Sequence, residues 1–92
     1  MEKFTFITEY KKGTYIRQIM STTLDLAIAI WIEYVLSNSN LLGMNEQESL
    51  IYASEMRKDF NAPSVVNDVD NVWCIYLKIG RYTFLTNIVI TK

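Results

Sequence analysis

The sequence has no histidine, a single cysteine (Cys74), a single proline (Pro63) and three glycines, at positions 13, 43 and 80. Each scarcity removes some chemistry. Without imidazole there is no Ser-His-Asp or Cys-His arrangement, no histidine-ligated zinc and no side chain with an unperturbed pKa near neutrality. One thiol cannot make an internal disulfide, which fits a reducing cytoplasm. Three isolated glycines cannot build a phosphate-cradling loop, and no serine sits in a Gly-x-Ser-x-Gly elbow. Long hydrophobic runs are missing too. The longest, Leu26 to Ile32, has seven residues, against about twenty for a bilayer span. The N-terminal Met-Glu-Lys-Phe-Thr-Phe has no charged-then-apolar signal pattern. A soluble, cytoplasmic chain is therefore expected.

Neither sign of charge dominates. Nine Lys and Arg against ten Asp and Glu leave a net charge of -1. The only adjacent basic pairs, Lys11-Lys12 and Arg57-Lys58, do not extend into a run. Phosphate-binding proteins usually carry a basic face, so no nucleic-acid partner is expected. No membrane partner, metal or cofactor is expected either.

What the chain does contain is apolar. Half of its 92 residues are hydrophobic, including two tryptophans, six tyrosines and four phenylalanines. That suffices for one domain with a core of its own. Residues 3–10 alternate, with Phe4, Phe6, Thr8 and Tyr10 on one side, which is the period of a strand. Lys11-Lys12-Gly13 reads as a turn with positive φ available at Gly13. Thr14 to Met20 then returns as the second strand of a hairpin.

Thr22 is placed to cap a helix, with Asp25 three residues later, close to a capping box. The helix should run to about Ser37. Leu24, Ala27, Ile28, Trp31, Ile32 and Val35 share one face, which Leu26, Ile30 and Tyr34 widen sideways. A helix apolar over about two-thirds of its girth needs cover on more than one side. The simplest arrangement places it between the sheet and a second helix. That second helix opens at Asn45-Glu46-Gln47-Glu48, a full capping-box pattern. Its stripe of Tyr52, Met56 and Phe60 would meet Leu26, Ile30 and Tyr34, and Pro63 would close the segment.

Residues 61–71 read as a polar connection. Val72 to Ile79 and Tyr82 to Thr91 read as strands joined by the two-residue turn Gly80-Arg81. This turn sets Ile79 opposite Tyr82, Leu77 opposite Phe84, Ile75 opposite Thr86 and Trp73 opposite Ile88. The other face pairs Val72, Cys74, Tyr76 and Lys78 with Val89, Asn87, Leu85 and Thr83, a mixed set. The order ββααββ predicts an α+β domain over residues 1–92: a four-stranded antiparallel sheet with two helices on one face.

Residues able to do chemistry are few. Cys74 reads as a small core residue. Asn67-Asp68-Val69-Asp70-Asn71 reads as a solvated loop, without the spacing of a calcium loop. Glu9, Asp25, Glu33 and Asp59 have no evident reason to converge. Arg17, Gln18 and Asn87 are polar residues flanked by apolar ones, and Leu26, Ile30 and Tyr34 form surplus apolar surface. These six residues are the candidate interaction surface.

Phe4-x-Phe6 with Glu9, Gly13-Thr14-Tyr15, Gln18, Trp31, Asn71-Val72-Trp73-Cys74, Asn87-Ile88-Val89 and Thr91 resemble a group of small bacterial proteins built on a domain of unknown function. More locally, Glu9 to Tyr15 with Asp25 and Ala27 is similar to the hairpin and capped helix of HicB-type antitoxins. Small single-domain toxin-immunity proteins offer a likeness at the level of fold style alone. The missing catalytic vocabulary, the surplus apolar surface of the first helix and the mixed sheet face point the same way. The expected function is a non-catalytic protein-interaction module, immunity-like or antitoxin-like, that binds a protein partner or a second copy as a homodimer. The alternative expectation is a small-molecule-binding domain, with Tyr15, Trp31, Tyr34 and Tyr76 lining a cavity between helices and sheet.

Overall fold

The fold is taken from a computed structural model that describes residues 1–57, 64–65 and 71–91. The elements run β1 (Glu2–Tyr10), β2 (Gly13–Ser21), α1 (Leu24–Ser37), α2 (Glu46–Glu55), β3 (Ser64–Val65), β4 (Val72–Ile79) and β5 (Tyr82–Thr91). Four long strands form the expected antiparallel sheet. The two-residue β3, from the stretch read as a connection, adds to the outer side of β4. The strand order is β2-β1-β5-β4-β3. First and last strands thus lie side by side at the centre, Phe6 opposite Ile88 and Thr8 opposite Thr86. Phe60, Pro63, Asp59 and the acidic loop 67–70 lie outside the described residues.

The first hairpin closes on the pair Tyr10–Gly13. Its positive φ falls on Lys11, at 57°, and not on Gly13 as expected. The glycine at position 13 makes room for a side chain instead. The Tyr15 side chain leans across it, and a Cβ there would sit 2.7 Å from Tyr15 Cζ. In the second hairpin Gly80 does take positive φ, 61°. The resulting β4–β5 register is the one that the two-residue turn dictates.

The α1 cap is shifted by one residue from the expected position. Thr23 is extended, and its side chain accepts the Leu26 N–H. Thr22 therefore lies outside the helix and Asp25 falls inside the first turn, so no capping box forms there. At α2 the box is complete: Asn45 Oδ1 accepts Glu48 N–H at 2.8 Å, and Glu48 Oε1 accepts Asn45 N–H at 3.0 Å.

Both helices cover one face of the sheet, but they lie side by side. α1 rests on β2 and β1, and α2 rests on β4. The expected stacking of α1 between the sheet and α2 is therefore incorrect. Leu26 and Ile30, assigned to the α2 contact, remain exposed. The geometry of the ring contacts explains why. Trp31 drives α1 straight onto the sheet by stacking on Phe6, with centroids 5.1 Å apart and planes 17° apart. Tyr52 anchors α2 by a tilted contact with Phe84, centroids 4.9 Å apart and planes at 54°. Such ring pairs add about 0.5–1.5 kcal/mol each beyond their burial. The link between the helices buries Leu42 and Met44, which close the core between the two helices. At its centre Thr8 and Thr86 satisfy each other, their hydroxyl oxygens 2.8 Å apart.

Candidate functional site

With the helices all on one side, strand alternation delivers the remaining side chains to the second face of the sheet. Hydrogen-bonded register fixes the rows on that face. Ile16, Ile7, Asn87 and Cys74 form one row; Thr14, Glu9, Leu85 and Tyr76 the next; Gln18, Thr5, Val89 and Val72 a third. No described helix or strand packs on these rows. Ile16 is 66% exposed, Tyr76 54% and Met20 52%. The charged residues, Lys3, Glu9 and Lys78, sit toward the ends of the face, and its middle row carries none.

Cys74 belongs to this open face and is partly exposed; it is not a residue of the helix-side core, as first read. The partial burial that neighbours impose pushes its thiol pKa up, which favours the neutral thiol over a nucleophilic thiolate.

A second exposed region flanks the β2 edge. Arg17 projects to the helix side, where its guanidinium lies 4.1 Å from the Tyr34 ring centroid. Tyr34 in turn stacks on Trp31 at 5.6 Å. Residues four apart on a helix share a flank, so Tyr34, Ile30 and Leu26 form one row along the β2 side of α1. Leu26 is 54% exposed and Ile30 47%.

The six sequence-predicted residues therefore divide between two places. Leu26, Ile30, Tyr34 and Arg17 meet on the α1–β2 flank. Gln18 and Asn87 lie on the open sheet face, where Gln18 Nε2 donates to Thr5 Oγ1 at 3.5 Å. Sequence reasoning missed Ile16, Met20 and Tyr76 as surface residues. The signal was present, because assigning Phe4 and Phe6 to the core forces Ile16 and Met20 outward through the hairpin register. The four aromatics proposed to line one cavity do not converge: Trp31 and Tyr34 stack on the helix side, whereas Tyr76 is exposed on the opposite face. No cavity occurs among the described residues.

The densest polar cluster is structural in character. Glu48, at the start of α2, accepts the Tyr10 hydroxyl at 2.7 Å and the Lys11 ammonium at 3.1 Å. Lys11 also donates to the Gly43 carbonyl at 2.8 Å. The Asn45 backbone N–H, then the Tyr10 hydroxyl and then Lys11 hold the Glu48 carboxyl below its ordinary pKa. Burial, reinforced by this carboxylate, pushes the Tyr10 hydroxyl far above its usual range. These bonds tie the hairpin turn, the linker at Gly43 and the start of α2 together. Among the described residues no three His, Cys, Asp or Glu side chains come together as metal ligands, and no helix is long and apolar enough to cross a membrane. Compared with protein-family models, curated proteins and solved structures, the chain matches none.

Proposed function

We propose that this chain is a non-catalytic protein-interaction module. Its partner is a protein or a second copy of itself, and inhibition of a toxin in the manner of an immunity protein or an antitoxin is the most concrete form. The reading rests on one observation: the second sheet face, though mixed in composition, carries apolar side chains in its middle rows that no described element covers. A half-covered sheet usually turns a polar side to water. Here Ile7, Ile16, Leu85 and Tyr76 stand where solvated side chains would be expected, and patches of this kind mark interaction sites. The local likeness of Glu9–Tyr15 to the HicB-type hairpin supports the same reading, and the lone free thiol suits a cytoplasmic setting.

Two measurements on one set of proteins test it. Tagged wild-type chain and the open-face variant Tyr76→Lys are used to recover partners from the encoding cells. A protein retained by the wild type and lost with a folded Tyr76→Lys supports the reading. Cys74 is a built-in reporter on the same face, so its reaction with a thiol reagent should slow at least tenfold in the complex. Equal recovery by both proteins, with Cys74 unprotected, would overturn the assignment to this face.

A further inference from the structure

The outer edge of β2 carries an inference that deepens the interaction-module reading and rests on it. β2 is the terminal strand of the sheet on that side and is nine residues long. The hairpin closes on Tyr10–Gly13 through a two-residue turn, so that pair exchanges both backbone hydrogen bonds, and alternate residues of β2 repeat this with β1. The backbone N–H and C=O groups of Thr14, Ile16, Gln18 and Met20 therefore point outward. Natural edges of such length are usually blunted by charged side chains, proline or a bulge. This stretch has no lysine, proline or bulge. Its single charge, Arg17, is engaged with the Tyr34 ring.

We infer that the β2 edge pairs with the β2 edge of a second copy, antiparallel about a twofold axis at Gln18, to make one continuous sheet across the dimer. Three observations select a second copy and this register. First, an exposed row of backbone donors and acceptors is matched only by another extended strand, and a strand pairing with itself forms a closed, isologous contact. Second, the side chains agree. An axis at Gln18 sets Ile16 opposite Met20 of the other copy twice over and brings the two Gln18 amides together. An axis at Arg17 would instead oppose two guanidiniums. Third, the exposed row of α1 falls at the same level. Tyr34 marks the height of Arg17, and Ile30 lies about 6 Å back along the helix, about two strand residues on and so within about one residue of the height of Gln18. The same axis therefore brings Ile30 near its copy and Leu26 toward the other Tyr34, so one operation covers both the bare edge and the bare helix row.

The contact would be small. Seven paired residues span about 23 Å, and a sheet layer with its helices is about 20 Å deep. Roughly 900 Å² would be buried in total, which is the range of weak, reversible association. The open sheet face is not consumed, and the dimer would present two copies of it side by side.

Sedimentation over about 1–500 µM should show a monomer–dimer equilibrium for the wild type, with a dissociation constant in the micromolar range. Gln18→Pro removes an outward N–H and the exposed side-chain bond to Thr5 but no backbone bond to β1, so it should leave β1–β2 paired and shift the chain to monomer. Ile30→Lys should weaken the dimer at least tenfold. In a Cys74→Ser background, Gln18→Cys should oxidise to a covalent dimer while Ile16→Cys should not, because only residue 18 meets its own copy. A wild type that stays monomeric at the highest concentration would overturn the inference while leaving the partner reading to its own test. A dimer that resists Gln18→Pro but dissociates with Tyr76→Lys would also overturn it, by moving the second copy onto the open face.

Discussion

The Lys11 ammonium sits 3.1 Å from the Glu48 carboxylate, joining the turn of the first hairpin to the entry of α2 across 37 residues of sequence. The same carboxylate closes the α2 capping box and accepts the Tyr10 hydroxyl. One acidic side chain thus fixes the angle at which the second helix leaves its linker. Replacing Glu48 by Gln keeps the shape and removes the charge, and should cost about 1–2 kcal/mol in denaturant unfolding.

Glu48 also sets a pH dependence. Its carboxyl is depressed in the folded state by the Asn45 N–H, Tyr10 and Lys11. A carboxyl with a lowered folded pKa contributes stability that is fully present above its unfolded value, about 4.3, and is lost as pH falls through the folded value. Wild-type stability should therefore fall more steeply below about pH 4.3 than that of Glu48→Gln. Parallel acid titrations of the unfolding midpoint would show the two curves converging.

Lys11 combines a favourable side chain with an unfavourable backbone. Its φ of 57° lies in the left-handed region, which costs a non-glycine residue about 1 kcal/mol or more. Lys11→Ala loses the contacts and keeps the strain, whereas Lys11→Gly loses the contacts and releases it. The Gly variant should be more stable than the Ala variant by about 1 kcal/mol, as measured by urea midpoints at equal m-value.

The cap of α1 offers a test at adjacent, chemically identical residues. Thr23 accepts the Leu26 N–H, so Thr23→Ala should cost about 1 kcal/mol. Thr22→Ala should stay within about 0.5 kcal/mol of wild type. Equal losses at the two positions would contradict the observed cap.

Much of this fold is legible locally. Gly80-Arg81 fixes the entire β4–β5 register, because a two-residue turn allows one pairing and Ile75, Leu77 and Ile79 then agree on the buried face. Asn45 with Glu48 marks the start of α2 for a similar reason, since both bonds of the box lie within four residues. What escapes local reading is set at long range. The strand order depends on β1 meeting β5, some 80 residues apart in the chain, and the Lys11–Glu48 pair exists only once that order is made. The candidate site shows the same division. Leu26 and Ile30 stand out as surplus apolar residues, yet hydrophobic pattern cannot distinguish a side chain destined for a sister helix from one left at the surface. Only the position of Trp31 over Phe6 decides it. Arg17 and Gln18, neighbours in sequence, had to fall on opposite faces of β2.

The last prediction concerns Tyr52, whose ring braces α2 on Phe84 while its hydroxyl is buried with no hydrogen-bond partner among the described residues. The Trp31 side chain lies near enough to temper the upward push that burial gives the hydroxyl pKa, but no hydrogen bond of ordinary geometry forms. A buried donor without an acceptor costs part of its desolvation, about 1–3 kcal/mol for a fully orphaned group. Tyr52→Phe keeps the ring and removes the orphan. It should therefore be neutral or stabilising by up to about 1 kcal/mol, where Tyr→Phe at a satisfied site such as Tyr10 should destabilise by about 1 kcal/mol or more through loss of its Glu48 bond. Thermal unfolding of the two single variants beside wild type distinguishes them by sign. A clear loss at Tyr52 would mean that its hydroxyl has a partner after all.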